Sequence, residues 1–437
     1  MNENPIYQHK EERDKGLSKG YIERNGLKKA QKDLDSGLIK VITGPRRAGK
    51  SVFSFLLLKD KDFAYVNFDD ENVLKIQDTD QLLNNIFAVY GDVKYILFDE
   101  VQNLPQWELF INKLHRREFN LVLTGSNAHL LSRELSTHLT GRYVPIEVLP
   151  FGFNEYLMAK GFEYNDSVPQ LPEKKGLLLN HLKSYLVNGG YPEPVVKDLE
   201  IRPYLSTLFE ATLFKDVIKR YKVKYSQDMY NLALFLISNF CSEYSATSLR
   251  RALNFRSTKT VQNYLGYLEE TYLFFSLNRF DFKMKEQIRA PRKIYLIDSG
   301  HVLANAFQLS TNTGKLVENL VFVTLVRAGF RPNLDLFYYK TRNKKEIDFV
   351  LKRGVQVSTL IQACVDISDE RTKAREIKAL IEASEELKCD DLRVITYDHE
   401  GAETHHEKTI RFIPLWRFLL VSNNVAEDGI EPSTGGL

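Results

Sequence analysis

The sequence predicts an α/β chain in three parts: a parallel sheet covered on both faces by helices, a mostly helical region, and a second α/β region. Three observations carry this. Between residues 37 and 152, short apolar runs alternate with helical stretches. From 153 to about 275 the pattern is mostly helical, with a break at Gly189-Gly190-Tyr191-Pro192. From about 293, strand-like and helix-like stretches mix again.

Taken in order, residues 1 to about 36 are polar and helix-like, with Lys and Glu interspersed. Ile39-Lys40-Val41-Ile42 reads as a strand and Phe53 to Lys59 as the body of a helix. Phe63 to Phe68, Tyr95 to Phe98, Leu121 to Thr124 and Tyr143 to Val148 supply further strands, with helices such as Trp107 to Arg117 between most of them. Short apolar strands alternating with helices are the pattern of a parallel sheet. In the last part Ile294 to Ile297, Leu336 to Tyr339, Ile347 to Val350, Thr359 to Cys364 and Leu392 to Thr396 read as strands. Leu316 to Arg327 and Thr372 to Leu387 read as helices. Residues 423–437 are polar with Gly and Pro and read as a disordered tail. The expected division is 1–36, 37–152, 153–292, 293–422 and 423–437, and no internal repeat is visible.

A chain of 437 residues that is 43% hydrophobic and 27% charged fits a soluble globular protein of two to four domains. Cys241, Cys364 and Cys389 are far apart. That spacing argues against a disulfide framework or a zinc site and favours a reducing cytoplasm. The polar start Met1-Asn2-Glu3-Asn4-Pro5 shows no signal peptide. No apolar run approaches the roughly 20 residues that span a bilayer. A net charge of +3 implies no nucleic-acid partner for the chain as a whole, so local basic clusters must carry that argument.

Gly44-Pro45-Arg46-Arg47-Ala48-Gly49-Lys50-Ser51 fits G-x-x-x-x-G-K-S and stands between a strand and a helix, the context this motif requires. Its glycines let backbone N–H groups close around phosphate, and the helix N-terminus adds a favourable dipole. Lys50 is expected to reach the β- and γ-phosphates of ATP, and the Ser51 hydroxyl to bind Mg²⁺. The first sheet is therefore expected to be a P-loop nucleoside-triphosphatase fold. Tyr95-Ile96-Leu97-Phe98-Asp99-Glu100 runs four apolar residues into two acids. Asp99 would hold Mg²⁺ through water and Glu100 would polarise the attacking water. The alternative is an ordinary strand ending in a solvated turn. Leu121 to Asn127 is a further strand with polar residues at its end, expected between the other two. Ser126 or Asn127 would contact the γ-phosphate or the water, or simply close the strand. Arg142 is a candidate for stabilising transition-state charge, in cis or from a neighbouring subunit of a homo-oligomer, or else a surface arginine. Arg46 and Arg47 contact nucleotide or a partner, or are solvated loop charges.

Together these residues resemble a family of prokaryotic AAA-type ATP-binding proteins. The resemblance is carried by Thr43 to Ser51, Phe98-Asp99-Glu100-Val101-Gln102, Leu123-Thr124-Gly125-Ser126, Leu139-Thr140-Gly141-Arg142, Pro150 to Tyr156 and Gly189 to Glu193. The resemblance spans almost the whole chain and implies a fold and an ATP site. Its C-terminal part is similar to a domain distantly related to PD-(D/E)xK nucleases.

Ala246 to Leu253 and Thr258 to Thr271 read as helix, turn, helix, with Val261, Tyr264, Leu265 and Leu268 spaced for one buried face. A basic stretch follows: Arg279, Lys283, Lys285, Arg289, Arg292 and Lys293 against Asp281 and Glu286. This resembles a winged helix with a basic wing, and Arg250, Arg251, Arg256 and Lys259 add charge on the helical side. Ser257, Thr258 and Lys259 would begin a DNA-recognition helix, or the region contacts protein only.

For the C-terminal part the resemblance implies Mg²⁺-binding acids and a lysine. Glu318 and Asp348 fit. Gln362 stands in place of the third acid and Cys364 in place of the lysine, so the site reads as degenerate, with Lys373 or Arg375 as substitutes. Three functions are expected in turn: a switch or motor ATPase, an ATP-regulated nuclease, and a non-catalytic nucleotide-binding adaptor.

Overall fold

The computed structural model describes residues 4–76, 78–126, 141–306, 312–365 and 367–421. It contains two compact units, Met1–Phe151 with Glu270–Tyr272, and Gly152–Glu269 with Leu273–Leu437.

The first unit is built on five parallel strands: β1 (Ile39–Thr43), β2 (Phe63–Asn67), β3 (Tyr95–Asp99), β4 (Asn120–Gly125) and β5 (Tyr143–Glu147). Their order is β2-β3-β4-β1-β5. Successive strand residues point to opposite faces, and two cores result. Ile39, Val41, Ala64, Val66, Ile96, Phe98, Leu121 and Leu123 lie in one, against the helices Thr79–Tyr90 and Trp107–Arg116. Ile42, Phe63, Tyr65, Leu97 and Val122 lie in the other, against the helices Leu27–Lys32 and Lys50–Leu58. Apolar residues on both faces explain why these strands read as continuous hydrophobic runs.

Residues 1–36, read as an N-terminal helical segment, pack into the first unit. Ile6 is fully buried in the first core, and Leu27, Ala30 and Leu34 are buried in the second. Arg13 Nη1 donates to the Phe63 carbonyl at 2.5 Å. The segment buries these four apolar side chains, while Tyr7 and Leu17 stay exposed. A fully buried Leu or Ile contributes about 1.5–3 kcal/mol, which is enough to hold the segment on the sheet.

The second unit opens with helices, among them Phe153–Ala159, Pro172–Asn188 and Ile201–Thr212. Then come the helix Ser226–Ser238, β6 (Glu243–Tyr244), the helices Ala246–Ala252 and Thr258–Glu269, β7 (Phe274–Asn278), the short helix Met284–Arg289 and β8 (Arg292–Leu296). These strands form an antiparallel sheet in the order β6-β8-β7. The expected boundary between 292 and 293 therefore falls inside one strand. β8 pairs with β7 from Phe274↔Leu296 to Asn278↔Arg292 and belongs with the helices before it.

The rest of the unit is a mixed sheet of β9 (Leu336–Lys340), β10 (Glu346–Arg353), β11 (Gln356–Ala363), β12 (Leu392–Thr396), β13 (Gly401–His405) and β14 (Lys408–Pro414). The order is β13-β14-β12-β11-β10-β9. The helices Thr313–Arg327 and Glu370–Leu387 flank it. β13 and β14 are absent from the reading of the sequence. They form an edge hairpin, and β13 is half-exposed and polar, so it carries no apolar run.

Candidate active site

The loop Gly44–Gly49 leaves β1 and enters the helix Lys50–Leu58. Gly44 has φ +147°, and a Cβ there would lie 2.0 Å from the Val148 carbonyl oxygen, so only glycine fits. Arg47 and Gly49 also take positive φ, +62° and +93°. Pro45 and Ala48 are buried, Arg46 is half-buried and Arg47 is exposed.

The strand order places β4 between β3 and β1, as expected. In a parallel sheet all C-terminal ends share one edge, so the loop, Asp99-Glu100 and Ser126 gather there. The Ser51 hydroxyl donates to Asp99 Oδ2 at 2.7 Å. The Tyr65 hydroxyl donates to the same oxygen at 3.2 Å, and the Thr124 hydroxyl donates to Asp99 Oδ1. Burial, then the charge of Glu100, push the Asp99 carboxyl above its ordinary range, while Thr124, Ser51 and Lys50 pull it back. Burial raises the Tyr65 phenol well above its usual range, so it stays a donor.

Glu100 has φ +51° and donates its N–H to Thr124 Oγ1 at 3.0 Å. One carboxylate oxygen accepts from Gln102 Nε2 at 2.5 Å, and the other lies 3.9 Å from Lys50 Nζ. Lys50 is buried and donates to the carbonyls of Gly44 and Pro45 at 3.2 and 3.1 Å. Ser126 Oγ is buried and has no hydrogen-bond partner among the described residues. Asn127 lies outside the described residues.

Arg142 is placed elsewhere. It precedes β5, whose first residue pairs with Ile39 at the start of β1. The loop leaves β1 at the opposite end, about 16 Å away along five residues of strand. The topology thus sets Arg142 apart from the loop within this chain.

Sequence reasoning missed Tyr65, Gln102 and Arg24 as parts of the site. Arg24 is buried and donates through Nη1 to the Ala48 carbonyl at 2.8 Å and through Nη2 to the Leu149 carbonyl at 2.7 Å. Its guanidinium stacks over Phe151 at 5.0 Å. The N-terminal segment thus braces the phosphate loop.

These residues fit Mg-ATP. Mg²⁺ typically uses one or two protein oxygens and completes its shell with phosphate and water. Ser51 and Asp99, in contact, supply such a pair. Among the described residues no grouping of His, Cys, Asp and Glu forms a self-sufficient metal cage. The buried Ser126 hydroxyl gives an orphaned polar group at the strand end beside the loop.

The second unit holds another charged cluster. The expected Glu318, Asp348 and Gln362 do come together, around a residue the sequence had assigned to the basic wing. Lys293 is 1% exposed, and its ammonium lies 2.7 Å from Glu318, 2.6 Å from Glu346 and 3.2 Å from Asp348. Tyr295 also donates to Glu318, at 2.8 Å. Burial opposes the charge on Lys293, but the three carboxylates keep it well above its usual pKa. Burial, then Glu318, raise Asp348 to about 7. The Gln362 side chain accepts the Asp348 N–H at 3.1 Å and donates to Glu376 at 2.5 Å. Lys373 and Arg375, the expected substitutes, pair instead with Glu403 and Glu376.

A five-stranded parallel sheet with this loop is a P-loop nucleoside-triphosphatase fold, and residues 36–157 match the model described as AAA domain. Residues 179–313 and 313–418 match two domains of unknown function, DUF8612 and DUF4143. The chain is 35% identical over 404 residues to the uncharacterized protein MJ1544 of Methanocaldococcus jannaschii, covering 87% of this chain and 88% of that one. It is 31% identical to an uncharacterized protein of Haemophilus influenzae, covering 78% and 86%. The chain belongs to the family of these two proteins. Among solved structures it is similar to the Walker-type ATPase PABY2304 of Pyrococcus abyssi, with 13% identity, a TM-score of 0.42, and coverage of 65% of this chain and 95% of that one. No helix among the described residues is long and apolar enough to cross a membrane.

Proposed function

We propose that this chain hydrolyses Mg-ATP at the first-unit site and that its nucleotide state governs the second unit. The observation that carries the reading is the contact of Ser51 with Asp99, beside Glu100 and Lys50. When bound, Mg²⁺ supplies positive charge against the phosphate oxygens. Lys50 turns from the Gly44 and Pro45 carbonyls to phosphate. Tyr65 and Thr124 fix Asp99, and Glu100 accepts a proton from the attacking water, held in place by Gln102. Ser126 donates to the γ-phosphate or to that water.

In the second unit, the run of helix, strand, helix, helix, strand, short helix, strand from Ser226 to Leu296, with its three strands in one antiparallel sheet, supports a winged helix acting on DNA. Strand cleavage is not part of the reading: Gln362 is an amide bonded to Asp348 and Glu376, and Lys293 sits among the acids.

Equilibrium nucleotide binding and steady-state phosphate release test the proposal. Lys50→Ala is expected to abolish ATP binding. Glu100→Gln is expected to retain binding and lower turnover by about 10²–10⁴-fold. Unchanged turnover in Lys50→Ala protein would overturn it.

A further inference from the structure

The helix Thr258–Glu269 buries Val261, Tyr264, Leu265 and Leu268 and leaves Lys259, Gln262 and Asn263 exposed. Their spacing puts these three on one face. Gln and Asn present paired donor and acceptor groups that match the major-groove edge of adenine, and Lys matches guanine acceptors or phosphate. The flank is one-signed: between Tyr244 and Leu268 stand Arg250, Arg251, Arg256 and Lys259 and no carboxylate.

The connection between β7 and β8 carries the second feature. Phe282, Met284 and Ile288 are 75%, 70% and 62% exposed, within one short segment. Lys283, Lys285 and Arg289 alternate with them and are exposed too. The segment is rooted and braced. Phe280 is buried, packs on Phe337 at 5.5 Å and donates its N–H to the Tyr338 carbonyl at 2.7 Å. Asp281 accepts from the Lys283 N–H at 2.9 Å and, through its carbonyl, from Gln287 at 2.6 Å. Clustered apolar tips on a charged surface mark an interaction site. Apolar tips flanked by cations are the means by which proteins wedge between base steps in a minor groove.

We infer that this substructure binds duplex DNA at two grooves. Lys259, Gln262 and Asn263 enter a major groove, and Phe282, Met284 and Ile288 enter a neighbouring minor groove as a wedge that unstacks and kinks it. An anionic membrane would satisfy the wedge but leave the Gln262-Asn263 face without a matching partner. An RNA duplex has a major groove too deep and narrow for a helix. The inference rests on the winged-helix reading and is independent of ATP hydrolysis.

The test uses the full chain, a duplex DNA carrying a fluorescence-transfer pair that reports bending, the same sequence as duplex RNA, and phosphatidylserine vesicles. Wild-type and Lys50→Ala protein are both expected to bind and bend the DNA, with affinity falling as salt rises. The triple variant Phe282→Ser, Met284→Ser, Ile288→Ser removes only exposed side chains; it should still bind but lose the bending signal. Titrated against duplexes of different sequence, Gln262→Ala with Asn263→Ala should bind while losing preference between them by about tenfold or more, and a preference unchanged from wild type would overturn the major-groove contact. A triple variant that bends DNA as wild type does would overturn the wedge alone. Wild type that ignores DNA, binds RNA equally well, or prefers vesicles would overturn the winged-helix reading itself.

Discussion

At the scale of residues, the site is an arrangement of hydroxyl groups around one buried carboxylate. Ser51, Tyr65 and Thr124 all donate to Asp99, which keeps it placed although burial disfavours its charge. Thr124 also accepts the Glu100 N–H, so one threonine orients both acids. Arg24 acts on the loop from outside through two charge-assisted hydrogen bonds, each worth about 1.5–3 kcal/mol. Arg24→Met is therefore expected to weaken ATP affinity about tenfold while the rate of the hydrolytic step stays near wild type. A fluorescent-nucleotide titration beside single-turnover kinetics checks this; unchanged affinity would show that the loop holds its shape without Arg24. The loop residues and the Asp99-Glu100 pair were legible because each motif is contiguous. Tyr65 and Arg24 were not. One sits mid-strand and reads as core, the other sits in a polar segment, and only folding brings them to Asp99 and Ala48.

At the scale of elements, β8 is the strand most changed by the structure. Lys293 reads as one of a run of cations, yet the alternation of a strand turns it inward among Glu318, Glu346 and Asp348. Removing the cation leaves buried carboxylates uncompensated, at a cost of about 3–5 kcal/mol. Lys293→Met should lower the denaturation midpoint of the second unit accordingly. The two tryptophans separate the units: Trp107 lies in the first and Trp416 in the second, both buried. Urea unfolding followed through Trp416 in a Trp107→Phe background reads the second unit, and an unshifted midpoint would mean the cluster is already neutral. The Gly189-Gly190 break also gains a cause. Gly189 has φ +77°, and a Cβ there would lie 1.7 Å from Asp298 Oδ1. Asp298 accepts the N–H groups of Gly190 at 2.7 Å and Gly300 at 2.9 Å, tying the turn to the end of β8.

At the scale of the whole molecule, that same aspartate links stability to pH. Burial raises Asp298 to about 6, against the ordinary 3.8. An acid whose folded pKa is raised contributes stability that is complete below the unfolded value and lost as pH rises through the folded one. Between about pH 4 and 6.5, wild type should lose stability relative to Asp298→Asn by up to about 3 kcal/mol. His301, lowered by burial to about 4, titrates in the opposite sense, but it is common to both proteins and cancels in the comparison. A pH-independent difference in urea stability would show that Asp298 ionises normally in the folded chain.

The alternation of strands and helices, the phosphate loop and the acidic strand end were legible from the chain alone. Each of these follows from local periodicity or a contiguous motif. Folding alone shows that residues 1–36 cover the first sheet, that β8 belongs with β7, that Arg142 stands at the far end from the loop, and that Lys293 fills the acid cluster. Those depend on which distant residues meet, through burial of a few apolar side chains and pairing of buried charges, and no run of neighbouring residues records it.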